Sequence, residues 1–330
     1  MTVPHLIGGP AAWLGPQITN SDEWKIELDD DHRAELLAAL ATLRRTGKGL
    51  RDITAADFPL PTLAPVLAAA RDEVVDGRGF VLLRGVPIED LPAGDVELLY
   101  WGIGRHVGIP IHQKSEDDLL VHIVDQGVDP NDPLTRGFQT ATSLDYHCDS
   151  SDIVGLLCVR PAKSGGVSTI VSSVAVHDEL VRRNPAAARL LREQWWHDRK
   201  SGDDVSSFFR CSVFAERDGK LFAHYGRSYM ESASRFASIP ELTPEQVAAL
   251  DALDELLNSP EFVLNMDFRP GDIQLLNNYR VMHARTEYED HPEPERRREL
   301  IRLWLIVERD LGLPDDFAAA GIVSRDVAFQ

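Results

Sequence analysis

The feature that most constrains the fold is a series of short apolar segments, most of which lie between turn residues. Residues 79–85, 153–159, 167–172 and 300–307 are each predicted to be strands, because they are rich in aliphatic residues and are short. Amphipathic helices separate some of these segments, but the two do not alternate regularly as they do in a parallel β-α-β sheet. The pattern favours a mainly β fold, an antiparallel barrel or jelly roll buttressed by α-helices.

Helical spacing of apolar residues and local turn signals define the other elements. Thr243 and Gln246 form a capping box at a helix start. An Asp218-Gly219 pair predicts a hairpin between residues 208–214 and 220–225. Helices are predicted over 31–45, 65–75, 94–106, 176–183, 185–193 and 243–257, and further strands over 262–268 and 273–276.

The chain is predicted to form one domain over residues 1–330, since no repeat, low-complexity tract or linker interrupts it. Residues 1–30 are irregular in pattern and are expected to form an N-terminal arm that lies on the body. Residues 107–145 are rich in Asp, Pro, Gly and Gln and show few periodic signals. A loop of this length in a compact domain is usually functional or mobile, so we expect it to cover an active site.

Charge and cysteine content exclude several classes of protein. The formal net charge is −19, which opposes binding to nucleic acid, because that interaction needs a basic surface. Cys148, Cys158 and Cys211 form neither a paired framework nor a Cys-x-x-Cys zinc motif, and buried free thiols are expected. The sequence shows no signal-peptide pattern and no apolar run of membrane-spanning length. These features predict a soluble, cytoplasmic protein, and they leave the oligomeric state open, a homo-oligomer included.

The candidate metal ligands begin in the segment Ser143-Leu-Asp-Tyr-His-Cys-Asp149. His147 and Asp149 are two residues apart, so on a strand or strand end their side chains point to the same face while Cys148 points away. Two ligands do not hold a catalytic iron, and His283 is the candidate for the third. Together the three residues form the 2-His-1-carboxylate set that suits non-haem Fe(II) and leaves coordination positions open. A polar strand end on the surface is the alternative for the His-x-Asp pair alone.

Two arginines near the C-terminus support this interpretation. Arg298 and Arg302 have the same parity as Leu300 and Trp304, so all four face one side of the predicted strand. A guanidinium that faces the inside of a barrel needs an anion, because burying an uncompensated charge costs several kcal/mol. Arginine binds a carboxylate through two parallel hydrogen bonds, and 2-oxoglutarate carries a distal carboxylate beside an iron-chelating oxo-acid. Arg296 and Arg297 are instead attributed to a solvated charge run.

Several segments, taken in order, resemble the Fe(II)/2-oxoglutarate-dependent dioxygenases of the taurine dioxygenase (TauD/TfdA) group and clavaminate synthase. The resemblance extends over about residues 75–308. It rests on Gly79-Phe-Val-Leu-Leu-Arg-Gly, His147-Cys-Asp, Arg160-Pro-Ala-Lys-Ser-Gly-Gly-Val-Ser, Pro270-Gly-Asp-Ile-Gln-Leu-Leu-Asn-Asn, His283-Ala-Arg-Thr and Arg298-Glu-Leu-Ile-Arg-Leu-Trp-Leu.

This resemblance implies a double-stranded β-helix, the cupin-like jelly roll, with His147, Asp149 and His283 as ligands of a catalytic iron. It implies that Arg298 binds the distal carboxylate of 2-oxoglutarate, assisted by the hydroxyl of Ser168 or, if the register differs by one residue, of Thr169. Arg302 resembles the arginine that meets an anionic group of the substrate in several members. The expected partner is a small molecule that bears a carboxylate, and the other histidines, such as His112, His122, His177 and His224, are interpreted as surface or ordinary polar residues.

The activity implied is oxidation of an unactivated C–H bond with Fe(II), 2-oxoglutarate and O₂, releasing succinate and CO₂. Hydroxylation is the expected outcome, and desaturation, cyclisation and C–X cleavage use the same cofactor chemistry. Asp149 argues against halogenation, since related halogenases have a small residue there. Two alternatives come from other classes, a Zn²⁺-dependent hydrolase or lyase with the same triad and a non-catalytic metal-binding barrel. Neither alternative explains why Arg298 and Arg302 would both face the inside of the fold.

Overall fold

The computed structural model describes residues 4–113, 118–130, 132, 135–200 and 207–320. The helices in these ranges are α1 Gly15–Thr19, α2 Asp30–Thr46, α3 Leu63–Val75, α4 Ala93–Val107, α5 Ser173–Arg183, α6 Pro185–Leu190, α7 Arg227–Glu231, α8 Pro244–Leu257 and α9 Asp315–Ala319. The strands are β1 Lys25–Glu27, β2 Phe80–Arg84, β3 Ile109–Ile111, β4 Leu120–Ile123, β5 Leu144–His147, β6 Ile153–Arg160, β7 Ser164–Gly165, β8 Ser168–Ser172, β9 Gln194–Asp198, β10 Phe208–Ser212, β11 Phe214–Arg217, β12 Lys220–Ala223, β13 Leu264–Met266, β14 Ile273–Asn277, β15 Val281–Arg285, β16 Tyr288–Glu289 and β17 Glu299–Ile306.

Two sheets form the centre of the molecule. The major sheet has the order β1-β2-β14-β6-β17-β3, with β4 also paired to β17, and the minor sheet has the order β13-β8-β15-β5. β1 pairs with β2 in parallel, whereas the other pairs within these two sheets are antiparallel. Neighbours that are distant in sequence, such as β14 beside β2 and β6, are those expected of a jelly roll. The predicted fold class is confirmed.

Alternation along β17 shows how the strands divide the core. Leu300 and Trp304 face the space between the two sheets, together with Phe80 of β2 and Ile170 of β8. Ile301 and its same-parity neighbours face the opposite side, where they pack against α2, α3 and α4. A separate cluster packs α5, α6 and α8 against the outer face of the minor sheet. Each layer buries apolar surface, which stabilises the fold by roughly 25 cal/mol per Å². The helices serve as the predicted buttresses.

Local sequence signals agree with several of the helix ends. Thr243 caps α8 through a hydrogen bond from the backbone amide of Gln246, and the reciprocal bond of the capping box is also present. Asn184 caps α6, which begins at Pro185. Both caps are as predicted, because their side chains satisfy amides that have no partner within the helix. No helix of the described ranges has the length and apolar character needed to span a bilayer.

Some elements differ from the prediction. Residues 167–172 were expected to return beside the strand at 153–159, but β8 pairs with β13 and β15 of the minor sheet. The Asp218-Gly219 turn is present, with positive φ at both residues, yet it joins β11 to β12, while β10 pairs with β9. Local turn chemistry defined the hairpin correctly, whereas the partner of β10 depends on packing at longer range.

The two segments expected to be irregular contain regular structure. The arm 1–30 contains α1 and β1, and it buries Trp13 and Trp24 in the core between the sheets. The loop 107–145 contains β3, β4 and the first half of β5. Residues 114–117, 131, 133 and 134 of this loop lie outside the described ranges. The short strands were not predicted because three or four residues carry too little periodic signal.

Candidate active site

Neighbouring strands of the minor sheet bring the three candidate metal ligands together. His147 ends β5 and is the direct antiparallel partner of His283 in β15, and the centres of their rings are 4.2 Å apart. Asp149 follows the strand end, and its Oδ2 lies 3.9 Å from Nε2 of His283. The ligand atoms of the three side chains all lie within 4.8 Å of one another. The structure thus gathers the trio that the sequence singled out.

Hydrogen bonds from backbone amides fix the position of the strand end that carries His147 and Asp149. The amide of Cys148 donates to the carbonyl of Tyr225 at 2.9 Å. The amide of Asp149 donates to Oδ1 of Asn278 at 3.1 Å, and Nδ2 of Asn278 donates to the carbonyl of Ser151 at 3.0 Å. Cys148 points away from the trio into the apolar cluster beneath the minor sheet. The alternation predicted for His147 and Asp149 is therefore present in the structure.

The carboxyl group of Asp149 is held as a carboxylate. Burial by itself raises the pKa of Asp149, but the guanidinium of Arg302 is the strongest of the neighbouring groups that outweigh burial and hold the pKa at about 2. Trp304 Nε1 adds a 3.0 Å hydrogen bond to Oδ2. Arg302 Nη1 lies 3.3 Å from each carboxylate oxygen. The group therefore carries its negative charge at neutral pH.

The two imidazoles are neutral at the same pH. Burial lowers the pKa of His283 to about 3, assisted by the nearby imidazole of His147. Burial also lowers the pKa of His147. Nδ1 of His147 lies 2.9 Å from the carbonyl of Asp145, which places the proton on Nδ1 and leaves Nε2 free as a ligand. Two neutral imidazoles and one carboxylate are a donor set that fits Fe(II).

A second group of side chains carries positive charge close to the trio. Arg298 is 3% exposed, and its Nη1 has no hydrogen-bond partner in the described structure. Arg285, two residues after His283 in β15, has two such nitrogens, Nε and Nη1. Both guanidiniums lie over the ring of Tyr288, at 4.8 Å for Arg285 and 5.1 Å for Arg298. Buried donors without acceptors cost about 1–3 kcal/mol each, so this arrangement fits a bound anion.

The register of β8 places the two candidate hydroxyls, those of Ser168 and Thr169, on opposite faces of the strand. Ser168 is the direct partner of Arg285, and its Oγ accepts a 3.1 Å hydrogen bond from Nε2 of Gln274. Thr169 is the next residue and points to the opposite face of the strand, where it hydrogen-bonds the hydroxyl of Tyr146. Ser168 therefore shares a face with the two arginines, whereas Thr169 does not.

A cavity of about 320 Å³ opens beside the trio. Residues of the predicted covering loop form part of its wall, including Gln113, Arg136 and Phe138. Arg302 is 8% exposed and faces this cavity, and its Nε donates to Oε1 of Gln113 at 2.6 Å. Nε2 of Gln113 donates in return to the carbonyl of Arg302 at 2.9 Å. The strand face predicted for Arg302 is thus the one that lines the cavity.

Comparison with known families agrees with this geometry. The model of the taurine catabolism dioxygenase TauD, TfdA family matches residues 44–304, which is most of the chain. The chain belongs to the TauD/TfdA family. Members of this group are non-haem Fe(II)-dependent oxygenases that use 2-oxoglutarate and O₂, and the protein is an enzyme of this class. The donor set and the buried positive charge described above fit the chemistry of Fe(II) and 2-oxoglutarate.

Individual relatives and solved structures give the same result. FR-33289 synthase of Streptomyces rubellomurinus is 28% identical over 314 residues, 93% of this chain and 92% of the relative. The taurine hydroxylase-like protein SAT17 of Stachybotrys chartarum is 29% identical over 302 residues, 88% of this chain and 77% of the relative. Asparagine oxygenase in complex with Fe(II), hydroxyasparagine and succinate shares the fold, with a TM-score of 0.65, 16% identity and coverage of 86% of this chain and 93% of that one.

Sequence reasoning did not assign a role to two residues that the structure brings to the site, since Arg285 lies beside Arg298 and Gln113 holds Arg302. For the pair Asn277 and Asn278 the sequence favours support of the site by one of the two, with a turn as the alternative, and Asn278 fixes the backbone of Asp149. Arg285 could have been found, because it has the parity of His283 on the same strand. Gln113 carries no signal of its own, since its contact depends on how the covering loop folds back.

Proposed function

We propose that this TauD/TfdA-family oxygenase hydroxylates an unactivated C–H bond of a small anionic molecule. The observation that carries the proposal is the cavity of about 320 Å³, which has His147 and Asp149 of the trio in its wall together with Arg302. Arg136 and Arg199 also line this cavity, in a chain whose formal charge is −19. A local cluster of positive charge in an acidic protein favours a negatively charged ligand. Desaturation, cyclisation and C–X cleavage remain alternative outcomes of the same chemistry.

In this proposal His147, Asp149 and His283 hold the iron. Their neutral imidazoles and ionised carboxylate are in the protonation states that metal binding requires, so no ligand proton has to be lost at neutral pH. Bound Fe(II), together with 2-oxoglutarate and O₂, supplies the oxidising power for attack on a C–H bond. The protein places the substrate carbon, limits access of water and keeps Asp149 oriented through Trp304.

We further propose that Arg298 and Arg285 together bind the distal carboxylate of 2-oxoglutarate, with Ser168 Oγ as an additional donor. The nitrogens of both guanidiniums that lack partners support this assignment. Burial lowers the pKa of Arg285 to about 10, and the neighbouring charge of Arg298 adds to the effect. A carboxylate between the two would compensate both charges. Gly166 makes room for the Arg298 side chain, because a Cβ there would lie 3.0 Å from Arg298 Nε.

Arg302 is proposed to meet the anionic group of the substrate. It faces the cavity and is oriented by Gln113, which accepts a hydrogen bond from its Nε. One relative is a uridine-5'-phosphate dioxygenase of Amycolatopsis, which is 30% identical over 52% of this chain and 65% of its own length. A phosphate or carboxylate on the substrate fits the guanidinium equally well.

The first experiment measures succinate formation from 2-oxoglutarate in air with added Fe(II). Uncoupled turnover without substrate is expected, because the cofactor site does not depend on the substrate. A Zn²⁺-dependent hydrolase or a non-catalytic metal-binding barrel would produce no succinate. Candidate carboxylates and phosphates are then screened for stimulation of succinate release. If only uncharged compounds stimulate it, the proposed role of Arg302 is wrong, while the oxygenase chemistry stands.

A further inference from the structure

A second set of ligand-type side chains lies beside the same cavity, and two of its three members line it. His197 of β9 and Cys211 of β10 are on one face of an antiparallel pair, because Cys211 follows by two residues the direct partner of His197. His224 comes directly after β12, and its ring centre lies 5.2 Å from that of His197. The potential ligand atoms of the three residues all lie within 4.8 Å of one another.

The spacing of these atoms is close to that of a tetrahedral metal site. Cys211 Sγ lies 3.4 Å from His197 Nε2. Tetrahedral zinc with bonds of about 2.0 Å to nitrogen and about 2.3 Å to sulfur separates two such ligands by roughly 3.5 Å. All three residues are buried, with exposed fractions of 1% for His197, 0% for Cys211 and 8% for His224.

The protonation states of these three side chains favour binding of a metal ion over formation of an ion pair. Burial lowers the pKa of His224 to about 4 and the pKa of His197 to well below its usual value, so both rings are neutral and carry a free lone pair. Burial raises the pKa of the Cys211 thiol, which keeps its proton in the absence of a metal. Neutral imidazole and cysteine sulfur are the ligands of soft and borderline ions, in contrast to the carboxylate-containing trio at His147.

We propose that His197, Cys211 and His224 form a second metal site, which takes a thiophilic divalent cation of the Zn(II) type. On binding, the S–H bond of Cys211 breaks, an Sγ–metal bond forms, and one proton leaves to solvent. The thiolate offsets one of the two charges of the ion. Arg199 lies behind Phe209, which stacks on His197 with ring centres 5.0 Å apart. Its positive charge opposes a bound dication and favours an anion as the remaining ligand.

The fourth coordination position faces the cavity. His197 and His224 both line it, together with His147 and Asp149 of the iron trio. A water molecule or an oxygen of the anionic substrate would complete the coordination. A metal with three protein ligands and one open position is the arrangement found where zinc contacts substrate. The second site would therefore contact the substrate in the same cavity that Arg302 lines.

Cobalt titration tests the site with a spectroscopic signal that the iron trio cannot give. The full-length protein is stripped with a chelator, and Co(II) is added without oxygen. A thiolate ligand gives a sulfur-to-cobalt charge-transfer band in the near ultraviolet, and the trio contains no sulfur. The wild type is expected to show this band. Cys211→Ser is expected to lose it and to bind one equivalent of Co(II) less than the wild type.

Three variants separate the proposal from its alternatives. Cys158→Ser removes another buried thiol and should retain the band, and His147→Ala should lose only cobalt bound at the trio. Circular dichroism checks folding, and His224→Gln gives a second test if Cys211→Ser does not fold. Absence of the band in the wild type, or its persistence in folded Cys211→Ser, would show that the three residues are a packing cluster. Neither result alters succinate formation, so the oxygenase assignment is tested separately.

Discussion

The indole Nε1 of Trp304 donates a 3.0 Å hydrogen bond to Oδ2 of Asp149. This bond links the last strand of the major sheet to a carboxylate carried by the end of a minor-sheet strand. Trp304 is 7% exposed, so water does not readily replace its N–H group. The orientation of one proposed iron ligand therefore depends on how the two sheets are packed together.

Trp304→Phe removes this donor and keeps an aromatic ring in the core. Loss of such a partner of a metal ligand typically costs 10–100-fold in metal affinity or activity, and we expect a decrease of about that size in Fe(II) affinity. Anaerobic titration calorimetry measures the change. Trp24→Phe is the control, since Trp24 Nε1 donates to the carbonyl of Ile18, away from the site. Equal loss in both variants would indicate a general effect of removing an indole.

Arg285→Ala and Arg298→Ala are each expected to weaken 2-oxoglutarate binding while leaving metal binding nearly intact. A hydrogen bond to a charged group contributes about 1.5–3 kcal/mol, so we expect a decrease of about 10–100-fold for each variant. The measurement is titration of 2-oxoglutarate into Mn(II)-loaded protein, followed by titration of Mn(II) alone. Arg210→Ala, at an exposed position, is the control. If Arg285→Ala binds 2-oxoglutarate normally, Arg298 acts alone.

Gly166→Ala tests whether the turn before β8 shapes the same pocket. Gly166 has a φ of +66°, and a Cβ there would lie 3.0 Å from Nε and 3.2 Å from Cδ of Arg298. We expect weaker 2-oxoglutarate binding in addition to a backbone cost of about 1–2 kcal/mol. Gly219→Ala is matched in strain, since its φ is +72° and nothing lies within 4 Å of the added Cβ. Its affinity for 2-oxoglutarate should remain that of the wild type.

The features that were predicted most successfully from the sequence are those that depend on the alternation of side chains along a strand. Arg302 and Trp304 face inward with Leu300 because the side-chain period of a strand is two residues, and His147 and Asp149 share a face for the same reason. The third ligand, His283, was inferred from the chemistry that a metal requires. Its position opposite His147 depends on pairing between segments more than 130 residues apart in the sequence.

The features that the sequence did not predict depend on contacts between distant segments. His224 was interpreted as an ordinary polar residue, yet it is 8% exposed and lies beside His197 and Cys211. These three residues come from separate strands, so no spacing along the chain marks them as a group. The expectation that the cysteines are free and buried is confirmed. That expectation did not predict which side chains lie next to them. The crossing of β8 to the minor sheet was missed for the same reason.

Asp178 fixes the N-terminal arm to the body, and its substitution gives a pH-dependent test. Its Oδ1 and Oδ2 accept hydrogen bonds from the amides of Ile7 and Gly8, at 2.9 and 2.8 Å. Burial by itself raises the pKa of Asp178, but these bonds and one from His177 outweigh it, so that the pKa is lowered. A carboxyl group whose pKa is lowered on folding stabilises the native state above its unfolded pKa of about 3.9.

Asp178→Asn is therefore expected to lower the free energy of unfolding by about 1–3 kcal/mol at neutral pH. The difference from the wild type should persist down to about pH 5 and then decrease as the pH falls through the lowered native pKa. The wild-type carboxyl group then becomes protonated, and it is uncharged like the asparagine side chain of the variant. Urea unfolding at several pH values measures this difference, with the exposed Glu241→Gln as control. A difference that stays constant to pH 3 would mean that Asp178 acts through shape and not through its charge, since the charge-linked stabilisation begins to decrease once the pH falls below the unfolded pKa.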